Sequence, residues 1–131
     1  MSKQTELHKI TDKQCNVEVY HAIMHAAEAF SLLQFNIPKL HIEVAQHIHG
    51  RFDDAAFHCF IAANTKDIQE KLKHISIAKQ DIFYQYSSLE YLVKVKGLTI
   101  GGANTVIDLL SEANDQLGKW QNFVNKQAIA E

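Results

Sequence analysis

Acidic and histidine side chains that could hold a metal ion recur on one side of a helix in the first quarter of the chain. They follow the spacing of successive helical turns and comprise Glu18, His21, His25 and Glu28. The Glu18-x-x-His21 spacing is found in di-iron bundles, which also need a second such pair and two further carboxylates. The chain has no second Glu-x-x-His pair. We therefore expect a solvated helix face here.

Side chains for nucleophilic catalysis or phosphate binding do not occur in the required patterns. There is no GxSxG segment, and Gly101-Gly102 is not followed by the GK[ST] of a phosphate loop. The two cysteines, Cys15 and Cys59, lack the CxxC spacing. Cys59 lies in an apolar run, where a buried free thiol is the usual state. We predict no catalytic residue, no cofactor and no disulfide, as expected in a reducing cytoplasm.

The overall composition is that of one globular domain. The chain has 131 residues, of which 47% are hydrophobic and 21% charged, with a formal net charge of −2. No segment shows the pattern of a signal peptide or a membrane span, so we expect a cytoplasmic protein. With five Gly and one Pro, helix breakers are few and the helices should be long.

The apolar periodicity predicts an all-α fold, an antiparallel up-and-down four-helix bundle. We expect helices near residues 15–33, 38–63, 66–95 and 100–127, joined by short turns. Residues 1–14 and 128–131 are expected to be terminal tails, the first of them flexible. Thr65 and Thr99 are predicted to cap the third and fourth helices, and Gly97 to occupy the position after the end of the third.

Each predicted helix has one inward apolar face. The expected inward residues are Tyr20, Ile23, Met24, Ala27 and Phe30 in the first helix; Val44, Ile48, Phe52, Ala55 and Cys59 in the second; Ile68, Leu72, Ile75, Ile82, Tyr86, Leu89 and Val93 in the third; and Ala103, Val106, Ile107, Leu110, Ala113, Leu117 and Val124 in the fourth, with Trp120 at the edge.

The second and third helices also have apolar residues on the opposite side. The set comprises Gly50, Phe57, Ile61, Ile77, Tyr84 and Tyr91. A helix that is apolar on two faces is usually buried on both, and a single four-helix bundle buries one. We infer that these residues form a homo-oligomer contact; the alternative is scattered apolar residues on the surface, which are common.

Basic residues are concentrated in the third helix and at its end. Six of the 13 cations lie there, and further ones lie in the second and fourth helices: Lys66, Lys71, Lys73, Lys79, Lys94 and Lys96, then Lys39, Arg51, Lys119 and Lys126. Interleaved acids dilute this charge. Composition leaves open a solvated helix face and a nucleic-acid patch, whose affinity would grow through repetition in an oligomer.

Several short motifs together resemble one known family. They are Ile37-Pro38-Lys39, Gly50 in the second helix, Ala62-Ala63 at its end, Leu98-Thr99 before the fourth helix, and Leu110-x-Glu112-Ala113 followed by Leu117-Gly118-Lys119-Trp120. Over residues 15–125 the chain resembles the accessory variability determinant (Avd) proteins of diversity-generating retroelements. These belong to a wider four-helix-bundle family that includes proteins encoded by intervening sequences in ribosomal RNA genes.

The resemblance implies a non-enzymatic protein that works as a ring of five subunits. It implies binding to the retroelement's reverse transcriptase and to its template RNA or complementary DNA (cDNA), in support of mutagenic cDNA synthesis. By the same analogy the candidate nucleic-acid or polymerase contacts are Lys39, Arg51, Lys66, Lys71, Lys73, Lys94, Lys96 and Lys119.

Two other functions are compatible with the same residues. One is a stand-alone bundle of the ribosomal RNA intervening-sequence type, with an RNA or protein partner. The other, from a different class, is a metal-binding bundle that uses the histidine face of the first helix.

Overall fold

A computed structural model describes the backbone of residues 2–130 and the side chains of residues 13–129; Met1 and Glu131 lie outside it. Four long helices account for nearly all of it: α1 (Ser2–Gln34), α2 (Ile42–Asn64), α3 (Ile68–Lys94) and α4 (Ile100–Ala130). A short 3-10 turn, Lys39–His41, precedes α2. No strand occurs in this part of the chain.

The helices pack around a square in chain order. α1 contacts α2, α2 contacts α3, α3 contacts α4, and α4 closes the square against α1. The connections are short, so that consecutive neighbours run antiparallel. The predicted all-α, antiparallel up-and-down four-helix bundle is confirmed.

The predicted inward faces of α2 and α4 largely match the core. Ile48, Phe52, Ala55 and Cys59 of α2 are buried, while Val44 is half-buried. In α4, every predicted inward residue except the half-buried Ile107 is buried. Trp120 was expected at the edge of the face, but its side chain is completely buried.

The inward face of α1 differs from the prediction. Ile23 and Phe30 are buried as expected, but Tyr20 and Met24 are exposed and Ala27 is half-buried. The core positions are instead Val19, Ala22 and Ala26. The two faces are adjacent, and the prediction followed the larger side chains. Small residues pack well where a helix must approach two neighbours closely, which is the situation of α1 between α2 and α4.

The inward face of α3 is rotated relative to the predicted one. Ile75, Ile82 and Leu89 are buried as expected, whereas Ile68, Leu72, Tyr86 and Val93 are only half-buried. The other buried positions hold Lys71, Ala78, Asp81, Gln85 and Leu92. Three of these five side chains are polar, which hides the true apolar period. The Gln85 amide donates a hydrogen bond to the Ile48 carbonyl oxygen (2.9 Å), which ties α3 to α2.

Several helix ends differ from the prediction. α1 begins at Ser2 and α4 ends at Ala130, so residues 2–14 and 128–130 continue helices rather than form tails. The first 37 residues contain neither Gly nor Pro, so nothing in their composition ends a helix. Pro38 precedes the 3-10 turn and is not in the first turn of α2.

The caps of α3 and α4 are local and specific. Thr99 caps α4 as predicted, since its hydroxyl accepts from the Gly102 amide (3.0 Å). The cap of α3 is Asp67, which accepts from the Gln69 amide (3.2 Å), and not Thr65, whose hydroxyl donates to the Ile61 carbonyl. A carboxylate at this position also interacts favourably with the positive end of the helix dipole.

The α3 C-terminus ends in a Schellman turn whose left-handed residue is Lys96 (φ 62°) and not the predicted Gly97. The Gly97 amide donates to the Leu92 carbonyl (2.7 Å) and the Lys96 amide to the Val93 carbonyl (3.0 Å). Glycine is favoured at position 97 for another reason. A Cβ there would lie 3.2 Å from the Leu92 side chain and 3.3 Å from the His41 ring.

Candidate interaction surfaces

The outward face of α2 and α3 presents aromatic and apolar side chains. Phe57 (58% exposed), Tyr84 and Tyr91 are exposed, Ile61 and Ile77 are half-buried, and Gly50 is open to the surface. Two shallow depressions lie on this face. One, of about 420 Å³, is lined by Gln46, His47, Gly50, Arg51 and Asp54; the other, of about 210 Å³, is lined by Val44, His47, Tyr84, Ser87, Ser88 and Tyr91. The six residues predicted to form a subunit contact therefore all lie on the two helices that share one outward face.

Arg51 is held at the centre of this face by two contacts. Its Nη1 donates to Asp81 Oδ1 (3.0 Å), and its guanidinium lies 4.2 Å from the centre of the Tyr84 ring. The hydrogen bond to Asp81 raises the pKa of Arg51 further, so the group stays charged. The Arg51 side chain is only partly exposed. It joins α2 to α3 and is not a free cation of the kind that a phosphate-binding surface needs.

Asp81 is a buried carboxyl group beside a second acid. Its Oδ2 meets no hydrogen-bond donor within the described part of the chain, and the neighbouring Asp54 carboxyl can bond to it only if one of the two acids keeps a proton. Burial and the hydrogen bond with Asp54 raise the pKa of Asp81 to about 7, although Arg51 acts in the opposite direction. Asp81 therefore keeps its proton over much of the acidic range.

Next to this acid pair, two histidines join α2 to α3. His58 Nδ1 and His74 Nδ1 are 2.7 Å apart, with ring centres separated by 4.9 Å and ring planes inclined by 20°. These values describe two imidazoles lying edge to edge in nearly one plane, connected by one hydrogen bond in which one ring donates and the other accepts. On the far side of each ring lies a carboxylate of its own helix, Asp54 at 3.6 Å from His58 Nε2 and Glu70 at 3.7 Å from His74 Nε2.

This histidine pair was missed in the sequence, although a signal was present. Each histidine follows an acid by four residues, as Asp54-x-x-x-His58 on α2 and Glu70-x-x-x-His74 on α3. Two imidazoles bound to one tetrahedral zinc at ~2.0–2.1 Å each stand roughly 3.3 Å apart. The closer approach of the two Nδ1 atoms fits a shared hydrogen and not a shared metal ion.

The histidine face of α1 points to solvent. Glu18, His21, His25 and Glu28 are all exposed, and Glu18 accepts a hydrogen bond from the Gln14 amide (2.9 Å). Among residues 13–129 no group of three or more His, Cys, Asp or Glu side chains converges as a metal site would require. Cys59 is buried, and burial raises the pKa of its thiol to about 12, so the thiolate form is suppressed.

The eight predicted cationic contacts do not form one patch. Lys39, Lys94 and Lys96 lie at the same end of the bundle, where the α1–α2 and α3–α4 connections meet. Lys73 lies near the other end of α3, about 30 Å away at 1.5 Å per residue, and Lys66 precedes that end of the helix and is farther still. Lys119 is exposed on α4.

Lys71 and Lys79 do not offer open charges on α3. Only 9% of Lys71 is accessible, so the protomer offers little of this predicted contact to a partner. Lys71 lies one helical turn before the buried Ile75, on the inward face of α3. Lys79 is half-buried, and its Nζ donates to Gln121 Oε1 of α4 (3.4 Å).

The bundle end that carries Lys39, Lys94 and Lys96 also exposes large apolar side chains, which the sequence analysis did not identify. We call it the loop end and define it as residues 32–41 and 93–102. Phe35 is 90% exposed and Leu40 86%, and Leu32 and Ile100 are also largely exposed. Between its two loops lies a pocket of about 370 Å³, lined by Leu33, Asn36, Val93, Lys96, Gly97, Leu98, Thr99 and Ile100.

Within the described residues, none of the helices combines the length and the apolar character needed to cross a membrane. Comparison with known proteins returned no relative: no family model, no curated protein and no solved structure matches the chain.

Proposed function

We propose that the protein is a non-enzymatic, homo-oligomeric accessory factor of a diversity-generating retroelement, acting in the cytoplasm. In this role it binds the reverse transcriptase and its template RNA and supports mutagenic cDNA synthesis. The observation that carries the proposal is the outward face of α2 and α3, which exposes Phe57, Tyr84 and Tyr91 along a bundle whose core is already complete. The family motifs quoted from the sequence give the biological setting.

The proposed contact between subunits uses this outward face. Exposed aromatic residues beside shallow depressions are typical of protein–protein contacts, in which aromatic side chains and arginine are enriched. Arg51 is fixed against Tyr84 before any partner arrives, so little side-chain freedom remains to be lost. Gly50 fits the same role, because a Cβ there would meet nothing within the chain, and the bare backbone leaves room for a neighbouring helix.

Nucleic-acid or polymerase binding is assigned to cations that remain open, chiefly Lys39, Lys94 and Lys96. Three cations on one subunit release few counterions and bind weakly alone. A closed ring presents the same three five times, and linked weak contacts gain affinity through effective concentration. The net charge of −2 is compatible with this proposal because the three cations are concentrated at one end.

The oligomer is tested by light scattering coupled to size-exclusion chromatography. The expected mass is five times the protomer mass of 14.9 kDa. Phe57→Glu should reduce the mass, because a charge at the centre of an apolar contact is not solvated there. Phe83→Glu, a similarly exposed aromatic residue of α3 outside the predicted set, is the matched control. A single-protomer mass for the unmodified chain at high micromolar concentration contradicts the proposed contact.

The retroelement role is tested by reconstitution with the reverse transcriptase encoded beside this gene. The expected result is cDNA synthesis from the template RNA that requires this chain and that falls at least tenfold for the double variant Lys94→Glu, Lys96→Glu. A double variant of exposed lysines elsewhere, Lys13→Glu with Lys126→Glu, serves as the control. cDNA synthesis that proceeds equally without the chain, or a locus with no reverse transcriptase, refutes the proposal.

A further inference from the structure

Four of the most exposed large apolar side chains are concentrated at the loop end. Leu32 and Phe35 belong to the end of α1 and the following turn, Leu40 to the 3-10 turn, and Ile100 to the first residue of α4. None of them contributes to the buried core. Apolar side chains that remain in water do not stabilise the protomer, and clusters of them commonly mark binding sites.

The pocket between the two loops is fixed by the fold itself. The Schellman turn sets the path of the chain from Leu92 to Gly97, and the Thr99 cap fixes the start of α4. Helices α1 and α4 also approach each other closely beside the pocket: a Cβ at Gly102 would lie 3.1 Å from the Leu33 side chain. A mainly apolar pocket of about 370 Å³ is therefore present before a ligand binds, within the size range of ligand pockets.

The charge around this pocket has one sign. Residues 29–42 and 91–107 contain three lysines, Lys39, Lys94 and Lys96, and no Asp or Glu. All three lysines are exposed, and Lys96 also lines the pocket. Since the whole chain has a net charge of −2, the rest of the molecule is more acidic, and the loop end is a positive region on a negative protein. An anionic partner is therefore attracted to this end more strongly than to the remaining surface as a whole.

From this combination we propose that the loop end binds an acidic protein segment, which inserts an aromatic or branched aliphatic side chain into the pocket and sets flanking Asp or Glu side chains against the three lysines. The concave shape favours a peptide over the two other anionic partners. A membrane surface could take up the protruding Leu32, Phe35 and Leu40 but would leave the pocket unfilled, whereas a peptide side chain fills it. Single-stranded nucleic acid is bound on stacking platforms of exposed aromatic rings, and Phe35 is the one aromatic residue among the exposed apolar side chains of the loop end.

The proposed function assigns Lys39, Lys94 and Lys96 to a nucleic acid or to a polymerase; this inference rests on that assignment and selects a protein partner for the loop end. Its test uses the isolated full-length chain and does not depend on cDNA synthesis. A random 12-residue peptide library is selected on the chain, and the enriched peptides are synthesised and titrated by fluorescence anisotropy. The expected peptides carry a net negative charge of at least two and an aromatic or branched aliphatic residue between the acids.

Variants locate the binding site. Lys94→Glu with Lys96→Glu, and separately Ile100→Asn, should each weaken peptide binding at least tenfold. All three positions are exposed, so the fold should persist, and circular dichroism checks this. The matched controls lie elsewhere: Lys13→Glu with Lys126→Glu, both exposed, and Ile129→Asn, which replaces an isoleucine that is 86% exposed near the end of α4. The controls should bind as the parent chain does.

Three results overturn the inference. One is enrichment of peptides without acidic residues, and another is peptide binding that the loop-end variants leave unchanged. The third is loop-end-dependent binding of phosphatidylserine vesicles or of single-stranded RNA without any peptide selected, which would assign the surface to a lipid or to a nucleic acid instead.

Discussion

At the scale of single residues, the most consequential side chain is Asp81. It is buried at the α2–α3 contact, it bonds to Arg51, and it lies beside the carboxyl group of Asp54. Burying a charge is costly unless it is fully paired, and here one oxygen lacks a donor in the described part of the molecule. Asp81 thus holds Arg51 in its place beside Tyr84 on the outward face. The protein loses stability when the Asp81 carboxyl group is ionised.

The cost of ionising the buried Asp81 predicts how the stability of the protein depends on pH. The pKa of Asp81 is about 7 in the folded chain and about 3.9 for an unperturbed Asp, so the folded state binds the proton more tightly. The contribution of this group to stability therefore falls as the pH rises from about 4 to about 7. Asp81→Asn cannot ionise, and we expect it to be more stable than the parent by roughly 1–3 kcal/mol at pH 8, with a smaller difference at pH 5.

Urea unfolding followed by circular dichroism at the two pH values measures this difference. Asp53→Asn, an exposed neighbour on α2, is the control and should change stability little at either pH. If the stability of Asp81→Asn and that of the parent depend on pH in the same way, the pKa of Asp81 is not raised in the folded protein.

At the scale of elements, the turn that ends α3 contains a backbone conformation that lysine does not favour. Lys96 has a left-handed backbone (φ 62°), which costs a residue with a Cβ roughly 1 kcal/mol relative to glycine. We expect Lys96→Gly to stabilise the protein by about that amount and to raise the melting temperature by a few degrees. Thermal unfolding checks this.

Lys94→Gly provides the contrast for this substitution. Lys94 is exposed in the last turn of α3, so the glycine there should destabilise the protein by up to about 1 kcal/mol. Equal effects of the two substitutions would mean that the turn is not held in the Schellman geometry.

The same helix shows how far the sequence predicted the structure. The four helices could be predicted from the apolar periodicity. On the inward faces of α2 and α4, apolar residues such as Ile48, Phe52, Leu110 and Leu117 recur at helical spacing, and no polar residue interrupts these faces. The face of α3 was displaced because Asp81 and Gln85 occupy core positions, and their partners Arg51 and Ile48 lie 30 and 37 residues earlier in the chain. Long-range polar pairing of this kind cannot be read from local periodicity.

The candidate surfaces were predictable to different degrees. Residues on the outward face of α2 and α3 follow from helical geometry alone, and the structure places them on that face. The loop end could not be identified, because nothing in the sequence brings Phe35 and Leu40 together with Ile100 until the bundle is closed. The burial of Lys71 likewise depends on the packing of the first turn of α3, which its own sequence does not reveal.

At the scale of the whole molecule, two surfaces are available for separate tasks. The outward face of α2 and α3 runs along the bundle, whereas the loop end closes one tip of it. A ring built through the first surface would leave the second free at one end of every subunit. This separation allows the protein to assemble with itself and to hold a partner at the same time.

Gly50 gives the sharpest test of self-assembly. A side chain there meets nothing within the protomer, so Gly50→Leu should fold and should gain up to about 1 kcal/mol of helix stability. In the assembly the added side chain would occupy the space of the neighbouring helix, and the mass measured by light scattering should fall to that of the protomer.

Gly118→Leu is the matched control for this substitution. Gly118 is also a mid-helix glycine with open space at its Cβ, but it lies on α4. If Gly50→Leu keeps the parent's mass, the contact between subunits does not pass through the middle of α2.

The hydrogen bond between His58 and His74 affects the charge distribution beside these surfaces. Only one hydrogen fits between the two rings, so the pair has two tautomeric arrangements that differ in which ring owns it. Exchanging them reverses the electric dipole of the pair and moves the remaining ring N–H from the Asp54 side to the Glu70 side. A charged group arriving beside Asp54 would select one arrangement and so alter the polarity around Glu70 without any movement of the backbone. Nitrogen-15 NMR of the imidazoles distinguishes the two forms.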